Sequence, residues 1–131
     1  MTEPSKTFAT ESLRLAREML SDAKLMLERE SYRSAVDRGY YAMFHAVRAA
    51  LHSEGVDFPK SHAGLRNLFG QHFLLTDRLN KDLGRWLGQV FRLRQQGDYE
   101  VHADVGKEAV EEAVANAEKF VQILADYIQR K

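Results

Sequence analysis

The chain has 131 residues, with 19 basic and 19 acidic side chains, 44% hydrophobic residues, 29% charged residues and no cysteine. Such a length fits a single domain with its own core, and a chain this charged, with no long apolar run, has no membrane-spanning helix. Zero net charge argues against a general polyanion-coating role, and the missing cysteines exclude disulfides, zinc–thiolate sites, iron–sulfur clusters and thiol nucleophiles.

The first six residues lack the apolar stretch of a signal peptide, so a cytoplasmic protein is expected, with residues 1–7 as a flexible tail on a single domain 1–131. Only Pro4 and Pro59 interrupt the chain, and the segments around them have helical periodicity. The expected class is therefore all-α, an up-and-down bundle of four to five helices. Residues 8–27 form the first helix, with Leu13, Ala16, Leu20, Ala23 and Leu27 three and four apart. Ser31 is a candidate N-cap for a second helix reaching residue 52, stopped by Gly55 and Pro59. Ser61 caps a short third helix carrying His62, Leu65, Leu68, Phe69 and Phe73, weakened by Gly64 and Gly70. Thr76 or Asp77 caps a fourth that ends near Gln96, with Gly97 just beyond. Asp104 caps a fifth, residues 105–130, whose inner side holds Ala109, Ala113, Ala117, Phe120, Val121, Leu124 and Ile128.

The fourth helix breaks its own pattern. At about 100° per residue, Leu79, Leu83, Trp86, Leu87, Val90 and Leu93 share an apolar sector, and Arg94 falls inside it. An arginine there must pair, bend outward at the helix end, or line a cleft as a planar fork for phosphate or carboxylate. Gln95-Gln96-Gly97-Asp98-Tyr99 follows directly, with His102 shortly after, so Asp98 is also a candidate brace for Arg94. Arg78, Lys81, Arg85 and Arg92 share another sector, either a solvated face or a rail for a nucleic-acid backbone, with Gln89 on the same side.

On the second helix, Tyr32, Val36, Gly39, Tyr40, Met43, Val47 and Ala50 make the apolar side, and Gly39 points to close approach of a neighbouring helix. The opposite side carries Asp37, Tyr41, His45, Arg48 and His52, a pattern expected of a half-buried or subunit-contact face. No ligand spacing for a metal ion is present. His62 either orients a loop or faces a cleft, and His72 is expected on the surface. There is no Gly-rich phosphate loop or Gly-x-Ser-x-Gly nucleophile motif, and no DNA-reading motif.

The stretch Tyr40-Tyr41-Ala42-Met43-Phe44-His45, together with Lys60-Ser61-His62-Ala63-Gly64-Leu65 and the Arg-x-x-x-Asp-Tyr pattern of Arg94, Asp98 and Tyr99, resembles the HEPN-domain proteins. More narrowly, it resembles a small bacterial and archaeal branch of them. The resemblance spans about residues 31–127. It implies a helical bundle that forms homodimers, often encoded beside a minimal nucleotidyltransferase as a toxin–antitoxin or two-component pair. It also implies a metal-independent ribonuclease site, an Arg-x(4–6)-His motif paired across the dimer, with no cofactor. Arg94 matches that arginine. The histidine of the motif would fall at positions 99–101, which hold Tyr99, Glu100 and Val101, while His102 comes one position later. Asp98 near that place would be ionised and would repel a phosphate, so cleavage would call on His102 or His45.

The expected function is a nucleotide- or RNA-binding module working with the nucleotidyltransferase, its ligand held by Arg94, Asp98, Tyr99, Tyr41 and His45. The alternative is a ribonuclease toxin with Arg94 and His102 catalytic, and a third reading is a helical adaptor with no ligand.

Overall fold

A computed structural model describes residues 3–99 and 106–130, apart from the side chains at positions 5 and 97–99. Among the described residues the order is α1 (Glu3–Glu28), α2 (Tyr32–Ser53), α3 (His62–Phe69), a π-helical segment (Gly70–Leu74), α4 (Asp82–Tyr99) and α5 (Lys107–Gln129), with no strand. The all-α bundle is as expected, and no helix is long and apolar enough to cross a membrane.

Helix α1 begins at Glu3 rather than after a tail. Pro4 suits a first helical turn, where its missing N–H has no partner to lose, and the Thr7 hydroxyl donates to the Glu3 carbonyl at 3.0 Å. The Phe8 ring then lies 4.2 Å from that of His52, pinning this end of α1 to the far end of α2. The two helices join through a tight turn in which Glu30 takes φ 60° and the Ser31 amide donates to the Met26 carbonyl at 2.8 Å. Ser31 occupies the N-cap position of α2, but its side chain makes no capping bond. Ser61 does cap α3, its hydroxyl accepting from the Gly64 amide at 3.1 Å.

Helix α2 is the axis of the bundle, packing on α1, α3, α4 and α5. Its buried set includes five alanines (Ala35, Ala42, Ala46, Ala49 and Ala50) besides Val36, Tyr40, Met43, Phe44, Val47 and Leu51, so small side chains admit neighbours on several sides at once. Leu13, Ala16, Leu20 and Ala23 of α1 and Ala113, Ala117, Phe120, Val121, Leu124 and Ile128 of α5 are buried as their spacing requires. Asn116 is one of two buried polar residues among those described, and it donates to Gln89 Oε1 of α4 at 3.2 Å.

Two boundaries of α4 differ from expectation. Asp77 adopts φ 57°, which breaks a helix, and the Asp82 amide instead donates to Asn80 Oδ1 at 2.8 Å, so α4 starts four residues later than a cap at Asp77 would place it. At the other end α4 runs through Gly97 to Tyr99, since glycine weakens a helix without forbidding it. Helix α5 is N-capped by Gly106, and the expected cap, Asp104, lies outside the described residues.

Gly39 does face a neighbouring helix, and a Cβ built there would sit 3.7 Å from Ala117 Cβ, an ordinary contact. Gly39→Ala should therefore stabilise the fold by about 0.5–1 kcal/mol through helix propensity. Gly64→Ala should destabilise it, because its Cβ would lie 2.5 Å from Pro59 Cγ. Urea unfolding of the two variants checks both signs.

Candidate functional site

The inward arginine of α4 meets the polar stripe of α2. Arg94 Nε donates to Asp37 Oδ1 at 2.9 Å, and its side chain is only 22% exposed. Its guanidinium carbon lies 4.7 Å from the Tyr40 ring centre and 5.4 Å from that of Tyr41, and Nη2 reaches the Tyr41 hydroxyl at 3.5 Å. Of the outcomes open to an arginine in an apolar sector, this one is pairing plus stacking: a carboxylate offsets the charge, and two aromatic faces replace part of its hydration. The described partner is Asp37, fifty-seven residues away in sequence. The side chains of Asp98 and Tyr99, on the last turn of α4, and all of His102 lie outside the described residues.

A histidine does stand beside Arg94, and it comes from α3. His62 Nδ1 lies 3.3 Å from the Tyr40 hydroxyl, and its ring packs 4.3 Å from Phe44 and edge-on to Tyr41 at 5.8 Å. Burial first, then the positive charges of Arg94, Arg48 and Arg66, hold its pKa below the usual histidine value. His62 is thus a neutral imidazole at pH 7. Burial also pushes the Tyr40 phenol up to about 12, partly opposed by Arg66 and Arg94. Arg66, one helical turn after His62, lies with its guanidinium carbon 3.6 Å from the Phe91 ring centre. The seam between α2, α3 and α4 therefore gathers Asp37, Tyr40, Tyr41, Arg48, His62, Arg66 and Arg94.

Tyr41 joins Arg94 as expected. His45, one turn further along α2, is half-buried, and burial followed by the charge of Arg48 lowers its pKa. His52 belongs elsewhere, against Phe8 of α1. The half-buried character of this face thus has neighbours within the chain behind it, and among the described residues no cluster could hold a metal ion.

The basic rail is corrected in its first half. Arg78 and Lys81 precede α4 and cannot share its face. Arg78 bonds Glu54 at 3.1 Å and His72 Nε2 at 3.0 Å, and Tyr127 donates to the same Glu54 oxygen. His72 is thus partly exposed, as part of this brace. Arg85 and Arg92 do share α4; with Trp86, Gln89, Glu112 and Asn116 they line a groove between α4 and α5, and Arg85 also pairs with Asp82.

His62 and Arg66 were legible as i and i+4 on one short helix, directly after a capping serine. Their link to Arg94 was not, since three separate helices bring the groups together.

The histidines set a sign for acid stability. Burial, reinforced by Arg48 at His45, by Arg94, Arg48 and Arg66 at His62, and by Arg78 at His72, lowers all three pKa values from 6.5. Below that value the unfolded chain binds more protons than the folded one, so stability falls as pH drops from about 7.5 to 5.5. Chemical unfolding across that range should show the loss, and His62→Gln should reduce it.

Comparison with known proteins agrees with this architecture. The chain is 39% identical over 116 residues to a UPF0332 protein of Thermotoga maritima, covering 88% of this chain and 87% of that one. It is 37% identical over 109 residues to a Methanocaldococcus jannaschii protein named "Putative toxin MJ0605", covering 83% and 80%. A UPF0332 protein of Gloeobacter violaceus is 32% identical over 114 residues, covering 86% and 90%. The HEPN domain matches residues 9–127, from the first core residue of α1 to the last turns of α5; with the bundle built as described, the chain belongs to the HEPN domain family.

Proposed function

We propose that this HEPN chain is the RNA- or nucleotide-binding module of a toxin-like system, working in the cytoplasm as a homodimer beside a minimal nucleotidyltransferase. Two relatives from Methanocaldococcus jannaschii carry the word toxin in their names. The observation that carries the reading is Arg94, a guanidinium held inward between Tyr40, Tyr41 and Asp37 rather than released to solvent from its helix end. An arginine fork beside tyrosine faces is suited to a phosphate next to an unstacked base. Tyr41 and His45 lie along the same stripe of α2, and Asp98 and Tyr99 follow Arg94 on the last turn of α4. Arg85 and Arg92 extend positive charge along that helix as a shortened backbone rail.

A ribonuclease is the second reading, favoured by the neutral His62 in the same cluster. In that reaction the 2′-hydroxyl oxygen attacks the adjacent phosphorus, and its proton passes to a neutral histidine. The bond to the 5′-oxygen breaks, that oxygen takes up a proton, and a 2′,3′-cyclic phosphate and a 5′-hydroxyl end result. Arg94 would offset the charge that develops on phosphorus; His62, His45 and His102 are the candidate proton carriers.

Fluorescence anisotropy with short single-stranded RNA tests the binding reading. Arg94→Ala should weaken binding by about ten- to a hundredfold, the worth of one charge-assisted contact, and Arg94→Lys should restore it only in part. Unchanged binding in Arg94→Ala, with a lowered melting temperature alone, would identify an adaptor. Arg92→Gln should reduce the salt dependence by about 0.7 in log–log slope. Intact RNA after incubation with purified protein in a metal chelator would exclude the ribonuclease. Co-purification with the nucleotidyltransferase encoded next to it tests the pairing.

A further inference from the structure

Arg94 has a carboxylate beside it, but the other two arginines of the seam do not. Among the described residues, no acceptor reaches the Nε atoms of Arg48 and Arg66, although both atoms are buried. No carboxylate forms an ion pair with either side chain among those residues. Arg66 stands one turn after His62 on α3 and Arg48 one turn after Phe44 on α2, the ring against which His62 packs at 4.3 Å, and both charges act on His62. A buried guanidinium N–H without an acceptor is costly, and like charges gathered in a half-buried seam repel. The arrangement is nevertheless held in position: Arg66 is stacked on Phe91 at 3.6 Å, and His62 is fixed by Tyr40 at 3.3 Å and Phe44 at 4.3 Å. The buried Nε atoms are closed to an incoming anion, but two half-buried arginines held in place without a described carboxylate leave positive charge in the seam that an anion would offset.

We propose that Arg48, His62 and Arg66 bind a phosphate monoester dianion, the terminal phosphate of an RNA strand or of a mononucleotide, next to Arg94. The charge count selects the monoester. Among the described residues no carboxylate pairs with Arg48 or Arg66, and their two guanidinium charges match the two negative charges of a monoester, whereas an internal phosphodiester carries one. Forked donors also fit phosphate oxygens better than they fit a single-atom anion. Neutral His62 can donate or accept through its remaining ring nitrogen, depending on how it shares a proton with Tyr40. The proposal rests on the binding function above and assigns a distinct contact within it: Arg94 serves the body of the ligand, and this triad its phosphorylated end.

Calorimetric titration of the full chain at low ionic strength tests it, using inorganic phosphate, adenosine, adenosine 5′-monophosphate, and one short RNA with hydroxyl ends, a 5′-phosphate or a 3′-phosphate. The monophosphate should bind where adenosine does not, and one phosphorylated end should bind at least about tenfold tighter than hydroxyl-ended RNA. Arg48→Met and Arg66→Met should each bring the affinity for the phosphorylated end back to that of the same variant for hydroxyl-ended RNA. Arg48→Met should not lower the melting temperature, since it removes an unsatisfied buried donor and keeps an apolar stem, whereas Arg66→Met gives up the stack on Phe91 and should lower it slightly. If either fails to fold, Arg48→Gln or Arg66→Gln, which remove the charge and keep a polar side chain, should show the same loss of selectivity. Equal affinity for phosphorylated and hydroxyl ends, or selectivity retained in these variants, would overturn the site. The two readings separate cleanly: Arg94-dependent binding of hydroxyl-ended RNA with no gain from a phosphate sinks only the triad. Triad-dependent binding of the monophosphate with no RNA binding sinks only the RNA reading and leaves the mononucleotide as ligand.

Discussion

From Gly39 to Leu51, helix α2 has no exposed residue. A helix surrounded in this way has no water to which its polar side chains can be given, and each must find its surroundings inside the protein. Most of the problem is avoided by composition, because that segment is largely alanine, aromatic and aliphatic. The remainder is Tyr41, His45 and Arg48, at i, i+4 and i+7, which fall on one stripe. The bundle covers that stripe only in part, and the half-covered seam where α3 and α4 approach it is the candidate site.

The seam separates charges in a chain whose total charge is zero. Arg48, Arg66 and Arg94 converge on it with Asp37 as the described carboxylate, while Glu108, Glu111, Glu112 and Glu118 sit on exposed positions of α5. Net charge constrains solubility and bulk association, and it is silent on such local fields. Burial and this field together keep His62 neutral, whereas burial, against the field of Arg66 and Arg94, keeps the Tyr40 phenol protonated. Groups that would be interchangeable proton carriers in water are thereby given fixed states, which suits recognition of an anion and is also a prerequisite for ordered proton transfer.

A second polar cluster has a different character. Glu54 gathers Arg78, His72 and Tyr127, tying the end of α2 to the π-helical segment, the following turn and the end of α5. The Arg78 cation has a nearly buried carboxylate beside it, at 11% exposure, and also meets His72 Nε2, so its charge and donors are met locally. That is the physical difference between a brace and the pair Arg48 and Arg66, whose buried Nε donors have no described acceptor. It also accounts for the loss of Arg78 from the basic rail: a residue committed to holding a turn is not on a helix face.

Much of this was legible in one dimension. The 3.6-residue spacing in α1 and α5, the Ser61 cap, the position of Gly39 against a neighbour and the misplacement of Arg94 in an apolar sector are all local or periodic properties, and each corresponds to an observed feature. The family motifs likewise lie within short stretches. The ends of α4 were less legible, because a left-handed Asp77 and a tolerated Gly97 depend on small differences that competing caps and tertiary contacts resolve. Local sequence thus determined that this chain forms helices, which faces they bury, and that one arginine could not follow the pattern. Only the packing of α2 against α3 and α4 decided that Asp37 would meet that arginine and that His62 and Arg66 would gather around it, because those contacts join residues far apart in the chain, and their geometry comes from how three helices pack together rather than from the order of residues in any one of them.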